Sequence, residues 1–218
     1  MDGSRERFLI TQSNYEGGDE YHREKSLSYN WHPQVGIFVS LLPPDPKVLD
    51  AGCGSSGRDI EAFLQRGIAV EGLDYSETAI TELRRRFPDL MFYEAEMKST
   101  GLPGNSYGGI WACASLLNTS KEEVPAVLAE FRRLLVPNGV LFISVKEDGK
   151  EREMMIPDKA GERFFKFFSE EELRQLVEAA GFQVRKTEVL EDSYFTGKDV
   201  RPKPPAWICL YATKVHEP

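Results

Sequence analysis

Little in this chain could cross-link it or hold a metal. Its 218 residues include three cysteines and three histidines. Cys53, Cys113 and Cys209 are odd in number, far apart and set among apolar residues or glycines. That pattern excludes a disulfide framework and zinc-ligand spacing, and it points to a reducing compartment. No apolar run approaches the ~18 residues of a membrane span, and no signal-peptide pattern opens the chain, so a cytoplasmic protein is expected. Positive charge is also scarce. Lys+Arg 27 against Asp+Glu 35 leaves a net charge of −8, the wrong sign for neutralising a phosphate backbone. Neither nucleic acid, membrane nor metal is therefore an expected partner, and a monomer or weak homodimer is expected. The one basic cluster, Arg84-Arg85-Arg86, closes an expected helix, where cations complement the helix dipole, and is taken as a solvated helix end. Repeats and low-complexity tracts are absent. A 41% apolar, 28% charged composition suits one globular domain with room for a cap.

The chain is organised around residues 48–59. Val48-Leu49 stops at Asp50 and gives way to Gly52, Gly54 and Gly57, after which Ile60, Phe63 and Leu64 have helical spacing. This pattern predicts a strand, a tight turn and a helix whose free N–H groups face a nucleotide-like ligand. Gly52-x-Gly54-x-x-Gly57, with Asp74 about twenty residues on, matches the dinucleotide fingerprint and allows an NAD(P)-dependent reductase. Against it, Asp50 puts an anion where a pyrophosphate would lie, whereas a cationic ligand would be welcome there.

Residues 1–20 are polar, with little periodicity, and are expected to be mobile in the free protein. Tyr21, Tyr29 and Trp31 then precede an apolar segment, Val35 to Leu42, ended by Pro43-Pro44. These aromatics either pack on the sheet edge or cap a ligand site. Strands over 47–50, 68–74, 90–93, 109–114 and 140–145 alternate with helices opening at Arg58, after Ser76 and near Val124. The alternation predicts an α/β, doubly wound parallel sheet, with its ligand beyond the carboxyl ends of the strands. Residues 147–160 are charged, Phe164, Phe165, Phe167 and Phe168 crowd together, and Ser169-Glu170-Glu171-Glu172 forms a capping box. Two strand-like segments, 182–190 and 206–214, close the chain across a loop with Tyr194 and Phe195.

Four stretches in order, Val48–Gly54, Gly72–Ser76, Tyr93–Glu96 and Ile110–Leu117, followed by a closing hairpin, resemble the class I S-adenosylmethionine (AdoMet)-dependent methyltransferases. The likeness covers residues ~45–214 and is nearest to a small bacterial-type subgroup whose members mostly lack an assigned substrate. It implies a Rossmann-like, seven-stranded sheet with the last strand antiparallel. It also implies a division into a mobile start and helical cap or lid, 1–42, and a methyltransferase domain, 43–218. Two departures stand out: the third glycine comes one residue late, and Asn118 replaces a frequent histidine.

By the resemblance, Gly52, Cys53 and Gly54 approach the methionyl part of AdoMet, Asp50 favours its cationic end and Arg58 pairs with its carboxylate. Asp74 takes both ribose hydroxyls and Tyr75 lies along the adenine. Glu94 or Glu96 accepts from the adenine amino group while the Ala95 or Met97 N–H donates to the ring. Ala114, with Ser115 beside it, offers its carbonyl to the ammonium, and Tyr21 closes over the cofactor. For Asp74 a helix-capping role and for Glu94 a solvated strand end remain the alternatives. A small-molecule methyl acceptor would meet Tyr29, Trp31, Asn118 and Lys146. In-line transfer needs no dedicated base; if one acts, His22, His32, Glu147 and Lys146 are the candidates. A non-catalytic AdoMet-binding protein is a third possibility beside the enzyme and the reductase.

Overall fold

The computed structural model describes residues 3–147, 152–197 and 205–215. Helices α1 (Gly3–Gly17), α2 (Asp19–Leu27) and α3 (His32–Leu41) come first. An alternating series follows: β1 (Lys47–Ala51), α4 (Arg58–Leu64), β2 (Ala69–Asp74), α5 (Glu77–Arg86), β3 (Phe92–Glu94), β4 (Tyr107–Cys113), α6 (Val124–Leu134) and β5 (Leu135–Glu147). A separate antiparallel pair, β6 (Arg152–Asp158) and β7 (Gly161–Phe167), leads into α7 (Glu170–Ala179), β8 (Phe182–Leu190), the short α8 (Asp192–Thr196) and β9 (Ala206–Lys214).

The main sheet has seven strands in the order β3-β2-β1-β4-β5-β9-β8, with β9 antiparallel to both of its neighbours. This is the expected Rossmann-like architecture with its reversed closing strand. The order reverses between β1 and β4, and the turns that follow these strands open the crevice where ligands of such sheets bind. Both faces of the sheet are covered, so β4 is buried along its whole length, as its unbroken apolar run required. At the centre Trp111 stacks on Phe142 with ring centroids 3.8 Å apart. Ser76 caps α5 by accepting from the Ala79 N–H, and Ser169 caps α7 by accepting from Glu172. The Glu172 side chain takes the buried Lys166 ammonium at 2.7 Å.

Three expectations need correction. Residues 3–27 form two helices rather than an irregular start, with Thr11 and Asn14 of α1 buried against the β6–β7 hairpin. That hairpin, where no strand was expected, exists because Met154, Ile156, Phe165 and Phe167 bring apolar surface to a stretch dominated by charge. The arginine cluster is only partly a solvated helix end. Arg85 is exposed beside Glu82, while Arg84 donates to the Phe92 carbonyl and Arg86 to the carbonyls of Ser55 and Ser56 at 3.0 and 2.8 Å. Arg86 thereby fastens the glycine turn. Among the described residues no helix is long and apolar enough to cross a membrane, and no cluster could hold a metal.

The Thr11 hydroxyl accepts the Phe164 backbone N–H at 2.9 Å in a buried setting. Thr11→Val removes that acceptor at nearly constant volume, so it should cost about 1–3 kcal/mol in urea unfolding. An unchanged midpoint would show that α1 does not dock on β7.

Candidate active site

The turn after β1 sets the geometry of the site. Gly52, at φ +79°, has no room for a side chain, because a Cβ there would stand 2.3 Å from Ser115 Cβ. Gly54, at φ +55°, faces open space on that side, so backbone is bared to whatever binds. The extra residue in the spacing is absorbed by burying Ser55 and Ser56, and Ser56 Oγ accepts from Ser26 of α2 at 3.1 Å. Beneath the turn, Arg58 forks onto Asp59 at 2.7 and 2.6 Å, reaches the Ser26 carbonyl at 2.9 Å and touches Cys113. Asp59 also accepts the Trp111 indole N–H at 3.0 Å. Arg58 is thus engaged by Asp59, where a cofactor carboxylate was expected. Asp50 lies buried below the turn instead of lining the cavity; burial first, then Asp59, pushes its carboxyl well above the usual range, against the pull of Arg58.

A cavity of about 380 Å³ opens over this turn. From the expected set it brings together His22, Tyr29, Trp31, Gly52, Cys53, Gly54, Arg58, Asp74, Tyr75, Ala95, Met97, Ala114, Ser115, Asn118 and Lys146. It leaves out Tyr21, Asp50, Glu94, Glu96, His32 and Glu147. Tyr21 packs beside His22, and His32 is exposed at the start of α3. Glu147 pairs with Ala206 at the end of β5. Glu94 is exposed at the end of β3, its solvated alternative, and Glu96 is held by Arg5 and Lys98 outside the cavity. The Ala95 N–H is already spent on the Asp74 carbonyl at 3.0 Å.

The two ends of the cavity differ. At the turn end Asp74 accepts the N–H groups of Gly54 and Ser76, both at 2.9 Å, and each oxygen keeps a lone pair. Burial raises its carboxyl, and those N–H groups oppose the rise. Ser115 Oγ is buried there without a partner among the described residues, and so is the Tyr75 hydroxyl, which lies within electrostatic reach of Tyr15, Asp74 and Arg163. Orphaned polar atoms beside a bared backbone fit a ligand with hydroxyl, amino and ring-nitrogen groups. The far end has two charge pairs that the sequence did not announce. Asp192 takes Lys146 at 2.6 Å, the Trp207 indole at 2.9 Å and the Tyr29 hydroxyl at 3.0 Å. Burial lowers Lys146 to about 8, and Asp192 offsets part of that. Asp158 takes Arg163 at 2.6 Å and Asn14 at 3.0 Å. His22 Nε2 lies 2.7 Å from Asn14 Oδ1, and because the Asn14 amide donates to Asp158, the Nε2 carries the proton and leaves Nδ1 as the acceptor. Burial first, then Arg163, lowers His22 to about 4.

A turn of this build at the switch point of this sheet defines the nucleotide-type site of the class I methyltransferase fold. Residues 48–139 match the family described as "Methyltransferase domain". Over those residues, less than half of its length, the chain is similar to that family. It is 30% identical over 140 residues to EEF1A lysine methyltransferase 4 of Bos taurus, covering 55% of this chain and 54% of that one. It is also 30% identical over 109 residues to a dTDP-3-amino-3,4,6-trideoxy-alpha-D-glucopyranose N,N-dimethyltransferase of Streptomyces venezuelae, covering 49% and 45%. The chain spans about half the length of these curated relatives. The crystal structure of Burkholderia thailandensis 1,6-didemethyltoxoflavin-N1-methyltransferase has the same fold, with TM-score 0.78 and 23% identity, covering 99% of this chain and 92% of that one.

His22 yields a pH prediction. Its folded value of about 4 lies below the ordinary 6.5, so the unfolded chain takes up a proton first as pH falls. The stability is fully present above pH 6.5 and is lost toward pH 4. Arg163 and Lys25 oppose the proton and Asp158 favours it. His22→Gln should therefore lose less stability between pH 7.5 and 5 than the parent does; equal losses in urea titrations would contradict a buried, neutral imidazole.

Proposed function

We propose that this chain is an AdoMet-dependent methyltransferase acting on a small-molecule acceptor. The observation that carries the proposal is the single cavity that joins the glycine turn to a second polar compartment, with Tyr15, Asp19, His22, Arg23, Lys25 and Ser26 of α1 and α2 lining it. The cofactor, when bound, supplies a methyl carbon activated by a sulfonium. Asp74 holds the ribose hydroxyls through the lone pairs its two N–H partners leave free, while Tyr75, Ala95 and Met97 flank the adenine. Gly52, Gly54, the Ala114 carbonyl and Ser115 line the methionyl end. His22, neutral near pH 7, accepts a hydrogen bond at Nδ1 and orients an O–H or N–H group of the acceptor. With a value near 4 it is a weak proton carrier, so alignment and exclusion of water supply most of the acceleration.

Helices α1 and α2 form the lid. Glu16 accepts from the backbone N–H groups of Glu77 and Thr78 and from the Thr78 hydroxyl, Phe8 packs 5.2 Å from Tyr75, and Ser26 meets Arg58 and Ser56. The lid thus touches the glycine turn and Tyr75, which flanks the adenine. The lysine methyltransferase relative makes a protein side chain the second reading, but a folded protein would have to reach under this lid. A relative named for a dTDP-amino sugar and a structural neighbour with 1,6-didemethyltoxoflavin bound support the small acceptor.

S-Adenosylhomocysteine should raise the melting temperature in proportion to its occupancy, and no shift at large excess would overturn the proposal. Asp74→Ala should weaken its binding at least about tenfold, whereas Asp89→Ala at an exposed turn should leave it unchanged. Binding with no methyl transfer to any acceptor in a mass-detected screen would favour a non-catalytic protein.

Hydrogen exchange tests the lid. Amides of residues 15–32 should gain protection when S-adenosylhomocysteine is added. Equal protection in both states would mean ordinary packing.

A further inference from the structure

At the far end of the cavity, hydrogen-bond donors outnumber the acceptors available to them. Arg163 on β7 is 8% exposed and lines the cavity. Its Nε donates to Asp158 at 2.6 Å and its Nη1 to the Tyr15 hydroxyl at 2.8 Å. Among the described residues Nη2 has no hydrogen-bond partner. Asp158 is itself held by Asn14 and by the Ala160 N–H at 2.9 Å, so it steadies the Nε side of the guanidinium and leaves Nη2 open. The Phe165 and Tyr15 rings lie 4.9 and 5.3 Å from the guanidinium carbon and fix its plane. The Tyr15 oxygen accepts twice, from Arg163 and from Asn118 Nδ2 at 3.0 Å, and its own proton has no acceptor among the described residues. Asn118 Oδ1 is buried without a partner. The acid at the other pair, Asp192, takes Lys146, Tyr29 and Trp207 at Oδ1.

The open Nη2 beside a phenolic O–H offers one charged and one neutral donor to the two oxygens of a carboxylate, the charge-assisted partner that suits a guanidinium. The apolar flank of Ile156, Phe165 and Phe167 suits an apolar or planar body attached to it. Resting on the methyltransferase reading, we propose that Arg163 and Tyr15 form a carboxylate-binding subsite, so that the acceptor is a small organic acid bound through its carboxylate. The methionyl end of the cofactor is the other source of such a group, because Arg58 is already committed to Asp59.

The test runs in two titrations. S-Adenosylhomocysteine and 5′-methylthioadenosine, which lacks the amino-acid end, are first titrated into the parent, Arg163→Gln and Tyr15→Phe. Benzoate and benzamide are then titrated into each protein saturated with S-adenosylhomocysteine. The proposal expects benzoate, not benzamide, to stabilise the parent complex. It expects a loss of about tenfold or more in benzoate affinity for Arg163→Gln and about threefold or more for Tyr15→Phe, with S-adenosylhomocysteine affinity within about twofold of the parent. Benzoate binding no better than benzamide, or equally well to parent and variants, overturns the subsite. Loss of S-adenosylhomocysteine with 5′-methylthioadenosine retained assigns the carboxylate to the cofactor and overturns the acceptor assignment. Failure of the parent to bind S-adenosylhomocysteine is a separate result that overturns the methyltransferase reading. If Arg163→Gln does not fold, Tyr15→Phe, which keeps the ring, decides alone.

Discussion

The structure depends on how it neutralises acid beneath the glycine turn. Asp50, Asp59 and Asp74 are 3%, 7% and 9% exposed, and Arg58 is the cation placed among them. Burying a carboxylate costs several kcal/mol unless charge and hydrogen bonds compensate. Arg58 compensates Asp59 with a two-pronged ion pair, and the Trp111 indole adds a third bond. The same guanidinium reaches the Ser26 carbonyl, so α4, the centre of the sheet and the second helix are tied at one side chain. Removing it would leave a buried, uncompensated anion and take away one of the two ties of α2 to the turn.

From that anchor the cavity divides into two chemistries. The turn end offers backbone, a carboxylate with spare lone pairs and orphaned hydroxyls, which suits a polar ligand rich in donors and carrying positive charge. The far end offers aromatic walls with ion pairs set into them, Lys146 with Asp192 and Arg163 with Asp158. Ion pairs at a cavity wall are rigid at the price of desolvation, and the rigidity fixes the directions in which their unused donors point. Positioning is what an in-line displacement needs from a protein.

Much of this was legible in the chain. Period-2 and period-3.6 runs located all seven strands of the main sheet, and Ser76 and Ser169 cap their helices as their positions required. The turn glycines, Asp74 and Tyr75 were legible because their spacing is local: strand, turn and strand end are short stretches with fixed backbone demands. Helix α1 was not. Its inward face carries Phe8, Thr11, Asn14 and Tyr15, a helical spacing in which polar residues replace the apolar ones that periodicity detects. The β6–β7 hairpin was missed for a related reason, since charged residues alternate with its apolar ones and one of the charges, Arg163, points inward.

The sequence by itself determined the strands of the sheet and the glycine turn, because each follows from short-range patterning and backbone sterics, while the reversed last strand was implied by the family resemblance. Which acids face the ligand was decided by tertiary structure. Glu94 and Glu96 stand at the end of β3, yet they fall outside the cavity, while Asp192, distant in sequence, organises its far wall. Arg58 and Arg163 are both buried arginines paired with an aspartate, Asp59 next in sequence to the first and Asp158 across the β6–β7 turn from the second. The difference is that Trp111 and Ser26 close around the first pair, whereas Tyr15 of α1 meets the second at Nη1 alone, a contact between residues far apart in the chain and joined only by the fold.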